Sequence, residues 1–354
     1  MERWAELVND SSYLFENVLP YFKKTVSFSP PIGTRFVNAT PLFNASAFDK
    51  DGHPLQVSYP KYATPFSTWA KRGMDEAGIQ EVQDFNSGTL MGHQFCAMTI
   101  QQVDASRSSS ESAFLQTGFK FGSWTVYQFA MAKKIIFDPQ HRATGVIVQQ
   151  GNQFVLTATR EVIISAGAFQ SPQLLMVSGL GPAQVLHTYG IELVADLPGV
   201  GQNMWDHVFF GPSYQVNVPT IGMLGNDLLY LLNQVGMWLV GGNGFLTNPS
   251  TDYLAFEKLP QPLRSLFSES NEKELAWFPN DWPEVEVRYT ISLLFCMSNA
   301  HRKVYLVYCG ICIRGKLFGS ICAAASKWAI CQYCRCPGSS NFTGKHHHSF
   351  SRYG

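Results

Sequence analysis

The sequence predicts a mixed α/β fold of the α+β kind, on the strength of three stretches. An apolar run, Glu161-Val162-Ile163-Ile164-Ser165-Ala166-Gly167, passes through a small-residue turn into a helix. Upstream of it, Trp124 to Phe137 and Ala143 to Ala158 are rich in the β-branched and aromatic residues of strands. Near the start, Trp4 to Lys24 carries apolar residues at helical spacing.

In that first stretch Leu7, Val8, Phe15, Val18, Leu19 and Phe22 supply the apolar face, with Ser11 or Ser12 as the expected N-cap and a kink at Pro20. Ser29-Pro30-Pro31-Ile32-Gly33 ends it. Arg35 to Pro65, rich in Asn, Pro and aromatics without period, reads as a long excursion of the kind that forms lids or binding loops. Thr68 to Ala77 is expected as a short helix stopped by Gly78, and another opens at Ser108-Ser109-Ser110-Glu111 and runs through Leu115.

Asp138-Pro139-Gln140 is the expected turn between the two strand stretches, and Gly151-Asn152 divides the second into a hairpin. A small antiparallel sheet follows. Glu161 to Gly167 is expected as a buried strand, Ser171-Pro172 as the N-cap and first residue of a helix, and Ser178-Gly179 as its left-handed end. Such a layout brings backbone N–H groups to the strand's carboxyl end, and Ala166 and Gly167 leave room for a ligand to meet the main chain. Ordinary α/β packing is the alternative reading. Pro198-Gly199-Val200-Gly201-Gln202-Asn203-Met204-Trp205-Asp206-His207 is a second compact element: either a loop that hydrogen-bonds a polar cofactor, or a capped turn held by Asp206.

Composition sets limits. With 354 residues, 45% hydrophobic and 15% charged, the chain can bury a sizeable core. Lys+Arg and Asp+Glu balance at 26 each and no basic stripe alternates with aromatics, so nucleic acid is not an expected partner. The apolar stretches are too short or interrupted to span a bilayer, and Met1-Glu2-Arg3-Trp4 does not open a secretory signal. Sequons at Asn9, Asn38, Asn44 and Asn341 nevertheless hint at a secretory ancestry.

The composition breaks near residue 287. Tyr289 to Gly354 contains no Asp or Glu, and every cysteine except Cys96 lies at or beyond Cys296. Tyr289 to Phe295 and Val304 to Ile313 have strand-like composition, without convincing turns after them. Cys309-x-x-Cys312 and Cys331-x-x-Cys334 have zinc-ribbon spacing. The apolar spacer and the scattered Cys296, Cys322 and Cys336 argue against a metal site, so none is assigned. Intron read-through or a frameshift is the competing origin of this tail.

Gly167-Ala168-Phe169-Gln170-Ser171-Pro172-Gln173-Leu174-Leu175-Met176-Val177-Ser178-Gly179-Leu180-Gly181 resembles the second signature of the glucose-methanol-choline (GMC) oxidoreductases. Gly190-Ile191, Leu197-Pro198-Gly199-Val200-Gly201, Asn203 and Asp206-His207 continue that pattern in order and spacing. Arg107-Ser108-Ser109-Ser110, Gly145-Val146 and the opening Trp4 to Lys24 fit its upstream part. The likeness covers Met1 to about Glu286 and is strongest to the fungal aryl-alcohol and secondary-metabolism branch.

The resemblance implies an incomplete FAD-binding Rossmann-like domain with part of an antiparallel-sheet substrate domain. It divides the chain into a lid, linker and helical part of the core (1–115), a discontinuous FAD-binding segment (116–207), a partial substrate domain (208–286) and a tail expected to be disordered (287–354). FAD is the implied cofactor and a small-molecule alcohol the implied substrate. By position, the Ala132 backbone would meet the adenine side, although the family usually carries Val there. Ala166 and Gly167 would line the dinucleotide. Asn203, Asp206 and His207 would stand near the flavin end, with Asp206 holding the loop.

Two family features have no counterpart in the sequence. No strand–GxGxxG–helix occurs, and Gly241-Gly242-Asn243-Gly244 reads as a turn. The family's catalytic His pair, or His and Asn, belongs beyond the point where the acid-free tail begins. His301 and His346 to His348 lie outside its context, so no catalytic residue is assigned. The sequence as it stands is therefore expected to be an inactive piece of an alcohol-oxidising enzyme that purifies without stoichiometric flavin. The alternatives are a non-catalytic pseudoenzyme or binding module, and a chimera with a zinc-binding tail.

Overall fold

The computed structural model describes residues 1–32, 37–49, 51–122, 124–204, 206, 208–210, 213–214, 216–289 and 305–311. The chain divides into two compact units, Phe121–Asp206 and the remainder.

In the larger unit, Glu2–Val8 (α1) ends at Asn9, whose left-handed φ of 52° turns the chain out of the helix. The Asp10 carboxylate then accepts the Ser12 amide and caps a short 3₁₀ turn before Phe15–Lys23 (α2), which contains Pro20. The expected single helix is thus broken at Asn9-Asp10-Ser11-Ser12, a run of side chains that compete for local backbone groups. Val26–Phe28 (β1) pairs in parallel with Leu55–Val57 (β2), so the Arg35 to Pro65 excursion returns to lie beside its own start. Pro65–Glu76 (α3) begins at a proline, where the missing N–H costs nothing. It ends before Gly78, as the sequence predicts.

Gly92–Phe95 (β3) belongs to the main sheet. Glu111–Leu115 is one turn of π-helix leading into Gln116–Phe119 (α4), where a plain α-helix was expected.

The smaller unit is a meander of Met131–Phe137 (β4), Ala143–Gln150 (β5) and Asn152–Thr157 (β6). Asp138 Oδ1 holds the first turn by accepting the Gln140 and Arg142 amides at 2.9 Å each. The strand expected from Trp124 starts only at Met131, which pairs with Gln149: beyond Gln150 the partner strand has turned at Gly151.

Residues 161–165 form no strand, against expectation, and Ile163 is 77% exposed. A strand exists through its ladder, and among the described residues none lies beside this segment. Helix Gly167–Val177 (α5) follows and rests against β4. Leu180–Gly181 (β7) pairs in parallel with Ala195–Asp196 (β8), on either side of Ala183–Thr188 (α6).

The chain then returns to the larger unit through Val208–Phe210 (β9), Ser213–Tyr214 (β10), Ile221–Asn226 (α7) and Leu228–Gly241 (α8). Gly242, with φ 52°, is the left-handed cap of α8, so the expected glycine turn is a helix end. Tyr253–Glu257 (β11), Gln261–Arg264 (α9), Glu269–Leu275 (α10), Val285–Tyr289 (β12) and Tyr305–Ile311 (β13) complete the chain order. The sheet runs β10-β13-β12-β11-β3, all antiparallel, with β9 also paired to β13. Its core is Tyr253, Phe95, Ala255, Met74, Tyr59 and Ala39, with Phe95 edge-on to Tyr253 at 4.7 Å.

Strand β13 falls within the strand-like run Val304 to Ile313. The segment 287–354 was expected to be disordered, yet Val285↔Ile311 to Tyr289↔Val307 is a continuous antiparallel register. An apolar, β-prone run finds a strand edge to pair with. Of the zinc-ribbon cysteines, Cys312, Cys331 and Cys334 lie outside the described residues, as do residues 290–295 and His301. Among the described residues no helix is long and apolar enough to cross a membrane, and no cluster could hold a metal.

Candidate functional site

The candidate site is built on α5. This helix begins at Gly167, four residues before the expected Ser171 cap, with Ala166 as the N-cap residue. Ser171 instead reaches back from inside the helix, and its Oγ accepts the Ala166 N–H at 3.0 Å. Pro172 therefore sits within the helix and offers no N–H to the carbonyl of Ala168, four residues earlier.

Gly167 has φ +88°, a left-handed value that disfavours any side chain, and nothing lies within 4 Å of where a Cβ would stand. The first N–H groups of a helix have no partner within it. Those of α5 emerge among exposed small residues, Ser165 to Ala168, with Phe169 75% exposed beside them. Donors, clearance and the positive end of the helix dipole together suit an anionic or dinucleotide ligand.

The glycine loop lies against the same helix. Two successive turns, Val200 N–H to the Leu197 carbonyl and Gln202 N–H to that of Gly199, coil residues 197–202. Gly201, at φ +74°, lies within contact of the helix: a Cβ there would stand 3.4 Å from Met176 Cε and 3.8 Å from Pro172 Cβ, ordinary van der Waals distances. Asn203 follows in a left-handed conformation, φ 54°, which asparagine tolerates better than most residues. Asn203, Met204 and Asp206 are exposed.

Ala132 lies on β4, the strand that α5 covers. Register shifts between Ala132↔Val148 and Lys134↔Ile147, leaving Lys133 as a bulge. Ala132, Lys133 and Lys134 are all exposed. Downstream of the bulge the Ile135 amide donates to Ser178 Oγ at the end of α5. There Gly179 is obligatory: at φ +92°, a Cβ would stand 2.5 Å from the Glu192 carbonyl.

Ala166 caps α5 and Gly167 opens it, Ala132 lies on the strand that α5 rests against, and Asn203 follows the loop whose Gly201 meets the helix, with Asp206 at the end of the same unit. His207 lies outside the described residues. The arrangement offers hydrogen-bond donors and backbone access, so its chemistry is that of binding. Sequence reasoning missed Ser171 as the residue that secures the helix entrance and Met176 as the contact under the loop. The serine beside proline was a visible signal, but it also matched an ordinary N-cap.

A second polar constellation, in the larger unit, was not foreseen. Buried Asp252 accepts the Thr64 amide at 3.1 Å and the Asn248 side-chain amide at 2.7 Å, and also bonds Ser67 Oγ. It anchors the start of α3 to the sheet. His93 is fully buried, with Nδ1 on the Tyr253 hydroxyl and Nε2 3.2 Å from Asp75 Oδ1, outside hydrogen-bond geometry. Burial pushes the His93 pKa below its ordinary value, against the opposing pull of Asp75. Burial likewise raises the Tyr253 hydroxyl, and takes that of Tyr62 to about 12. These groups fasten elements together.

The family model described as GMC oxidoreductase matches residues 1–209. Patulin synthase of Penicillium expansum is 45% identical over 288 residues, covering 80% of this chain and 46% of the relative. Versicolorin B synthase of Emericella nidulans is 40% identical over 288 residues, covering 79% and 44% respectively. The chain thus spans about half the length of the curated relatives it matches. Among solved structures, an FAD-dependent oxidoreductase from Chaetomium thermophilum superposes with a TM-score of 0.70 at 20% identity, covering 84% of this chain and 55% of that one. A fungal aryl-alcohol oxidase gives 0.66 at 21% identity, covering 85% and 56%. At these identities the structural likeness speaks for the fold alone.

Proposed function

The chain belongs to the GMC oxidoreductase family, and from that premise we propose that it forms part of the FAD-binding body of an enzyme that oxidises an alcohol. The observation that carries the proposal is the entrance to α5, where Gly167 at φ +88° leaves backbone donors open beside small residues. The residues present fit a dinucleotide. Ala166 and Gly167 let a diphosphate approach the main chain, and the exposed Lys133 and Lys134 place positive charge beside Ala132. The Ala132 backbone takes the adenine side. Asn203, Asp206 and His207 take the flavin end, with Asp206 holding the loop.

On this reading residues 116–207 are the FAD-binding segment, 1–115 supply the lid, linker and helical part, and 208–286 contribute to the substrate domain. The chemistry that FAD supplies when bound is acceptance of a hydride from the carbinol carbon. The residues here bind and orient; none is assigned the role of base. Relatives named for patulin and versicolorin B favour a substrate from secondary metabolism.

The test is anaerobic flavin reduction in the protein isolated from its producing organism, against a panel of primary and aryl alcohols. The expected result is that an alcohol bleaches the flavin of an enzyme in which these residues are joined to a catalytic base, whereas the 354 residues alone, to which no base is assigned, leave added FAD oxidised. In that enzyme, a flavin that no alcohol reduces, or no flavin at all, overturns the proposal.

A further inference from the structure

We infer that Asn9 and Asn38 carry N-linked glycans, which places the protein in the secretory route. The motif Asn-x-Ser/Thr is short and arises often by chance, so the inference rests on how the fold presents each copy. Asn9-Asp10-Ser11 has no proline at its middle position, and both Asn9 and Ser11 are exposed. Asn9 stands at the left-handed end of α1, a helix the chain leaves at that residue. Asn38-Ala39-Thr40 is arranged in a complementary way. Ala39 is 3% exposed and belongs to the core around Tyr253, whereas Asn38 and Thr40 on either side of it are exposed. Burial of the middle residue fixes the turn and turns the acceptor outward.

The surface beside both acceptors supports the inference. Trp4, Leu7 and Val8 on α1 are 55%, 66% and 45% exposed, next to Asn9, and Leu42 is 48% exposed close after Asn38. Apolar groups of this size on a chain of zero formal net charge favour association, and a bulky polar glycan shields them. Asn44 is excluded. It is half-buried, its Oδ1 receives both the Ser46 amide and the Ser46 hydroxyl, and its neighbour Phe43 packs on the core. Asn341 lies outside the described residues.

The co-reactant is an oligosaccharide joined through its anomeric carbon to a lipid pyrophosphate. The carboxamide Nδ2 forms a bond to that carbon as the carbon–oxygen bond to pyrophosphate breaks. The electron pair leaves with the lipid pyrophosphate, and Nδ2 gives up one proton. No oxidant or reductant is needed.

The test uses the full chain isolated from its producing organism. Enzymatic removal of N-glycans in ¹⁸O-water converts an occupied asparagine to labelled aspartate. Asn38 and Asn44 share the tryptic peptide Phe36–Lys50, so fragment spectra assign the label between them. The expected result is label at Asn9 and Asn38, with Asn9→Gln and Asn38→Gln each lowering the mass by one glycan. Recovery of both residues as unlabelled asparagine overturns the inference, as does label confined to Asn44 or Asn341.

Discussion

The Ile135 amide donates to Ser178 Oγ at 2.8 Å, and that hydroxyl in turn donates to the Leu174 carbonyl at 2.6 Å. One serine therefore ties β4, just past its bulge, to the end of the helix that carries the candidate site. Ser178 and Ile135 are 0% and 3% exposed, so bulk solvent does not reach either partner. Ser178→Ala leaves a buried N–H unsatisfied and is expected to cost about 1–3 kcal/mol. Urea unfolding reads the loss, and faster exchange of the Ile135 amide localises it. Unchanged exchange there would contradict this role.

Asp252 gathers the start of α3, Ser67 and Asn248 around one buried carboxylate. Asp252→Ala strands those donors and is expected to destabilise the larger unit by about 2–5 kcal/mol. Denaturant midpoints for Asp252→Ala beside an exposed control, Asp281→Ala, check it. Equal midpoints would refute the anchoring role.

His93 makes stability depend on pH. Its folded pKa lies below the ordinary value of about 6.5, so below that pH the unfolded chain binds the proton more readily. The contribution is full above about 6.5 and is lost as pH falls towards the folded value, at up to about 1.4 kcal/mol per pH unit. His93→Gln is expected to flatten this part of the stability profile. A profile unchanged by the substitution would contradict the assignment.

Much of the fold around these residues was legible, and the parts that were not share a physical cause. The meander could be read because its turns are local: Asp138 caps its own turn, and Gly151 supplies the left-handed residue between two paired strands. Residues 161–165 misled because an apolar run states a preference for burial but not the presence of a partner strand. Ser171-Pro172 misled because a serine before proline looks the same whether it caps a helix at that point or reaches back five residues to Ala166. The links from His93 to Tyr253 and from Thr64 to Asp252 span 160 and 188 residues, so no local pattern could signal them. Family resemblance named the candidate residues, whereas the approach of Gly201 to Met176 and the bond from Ile135 to Ser178 emerged only in three dimensions.

Gly167→Val tests the helix entrance. A branched side chain at φ +88° is strained by about 1–2 kcal/mol and fills the space assigned to the dinucleotide. FAD affinity is expected to fall at least tenfold while the far-ultraviolet spectrum keeps its helical signal. Asp281→Ala, an exposed change outside the unit that carries the entrance, is expected to retain binding. Titration of intrinsic flavin fluorescence compares the two. Equal affinity would remove Gly167 from the site.

The most direct test of the account is peptide-resolved hydrogen exchange of the chain with and without excess FAD. Slower exchange is expected in residues 165–171 and 198–206 on adding FAD, with residues 261–275 unchanged. Protection absent from 165–171 and 198–206 would contradict the placement of FAD at the entrance to α5.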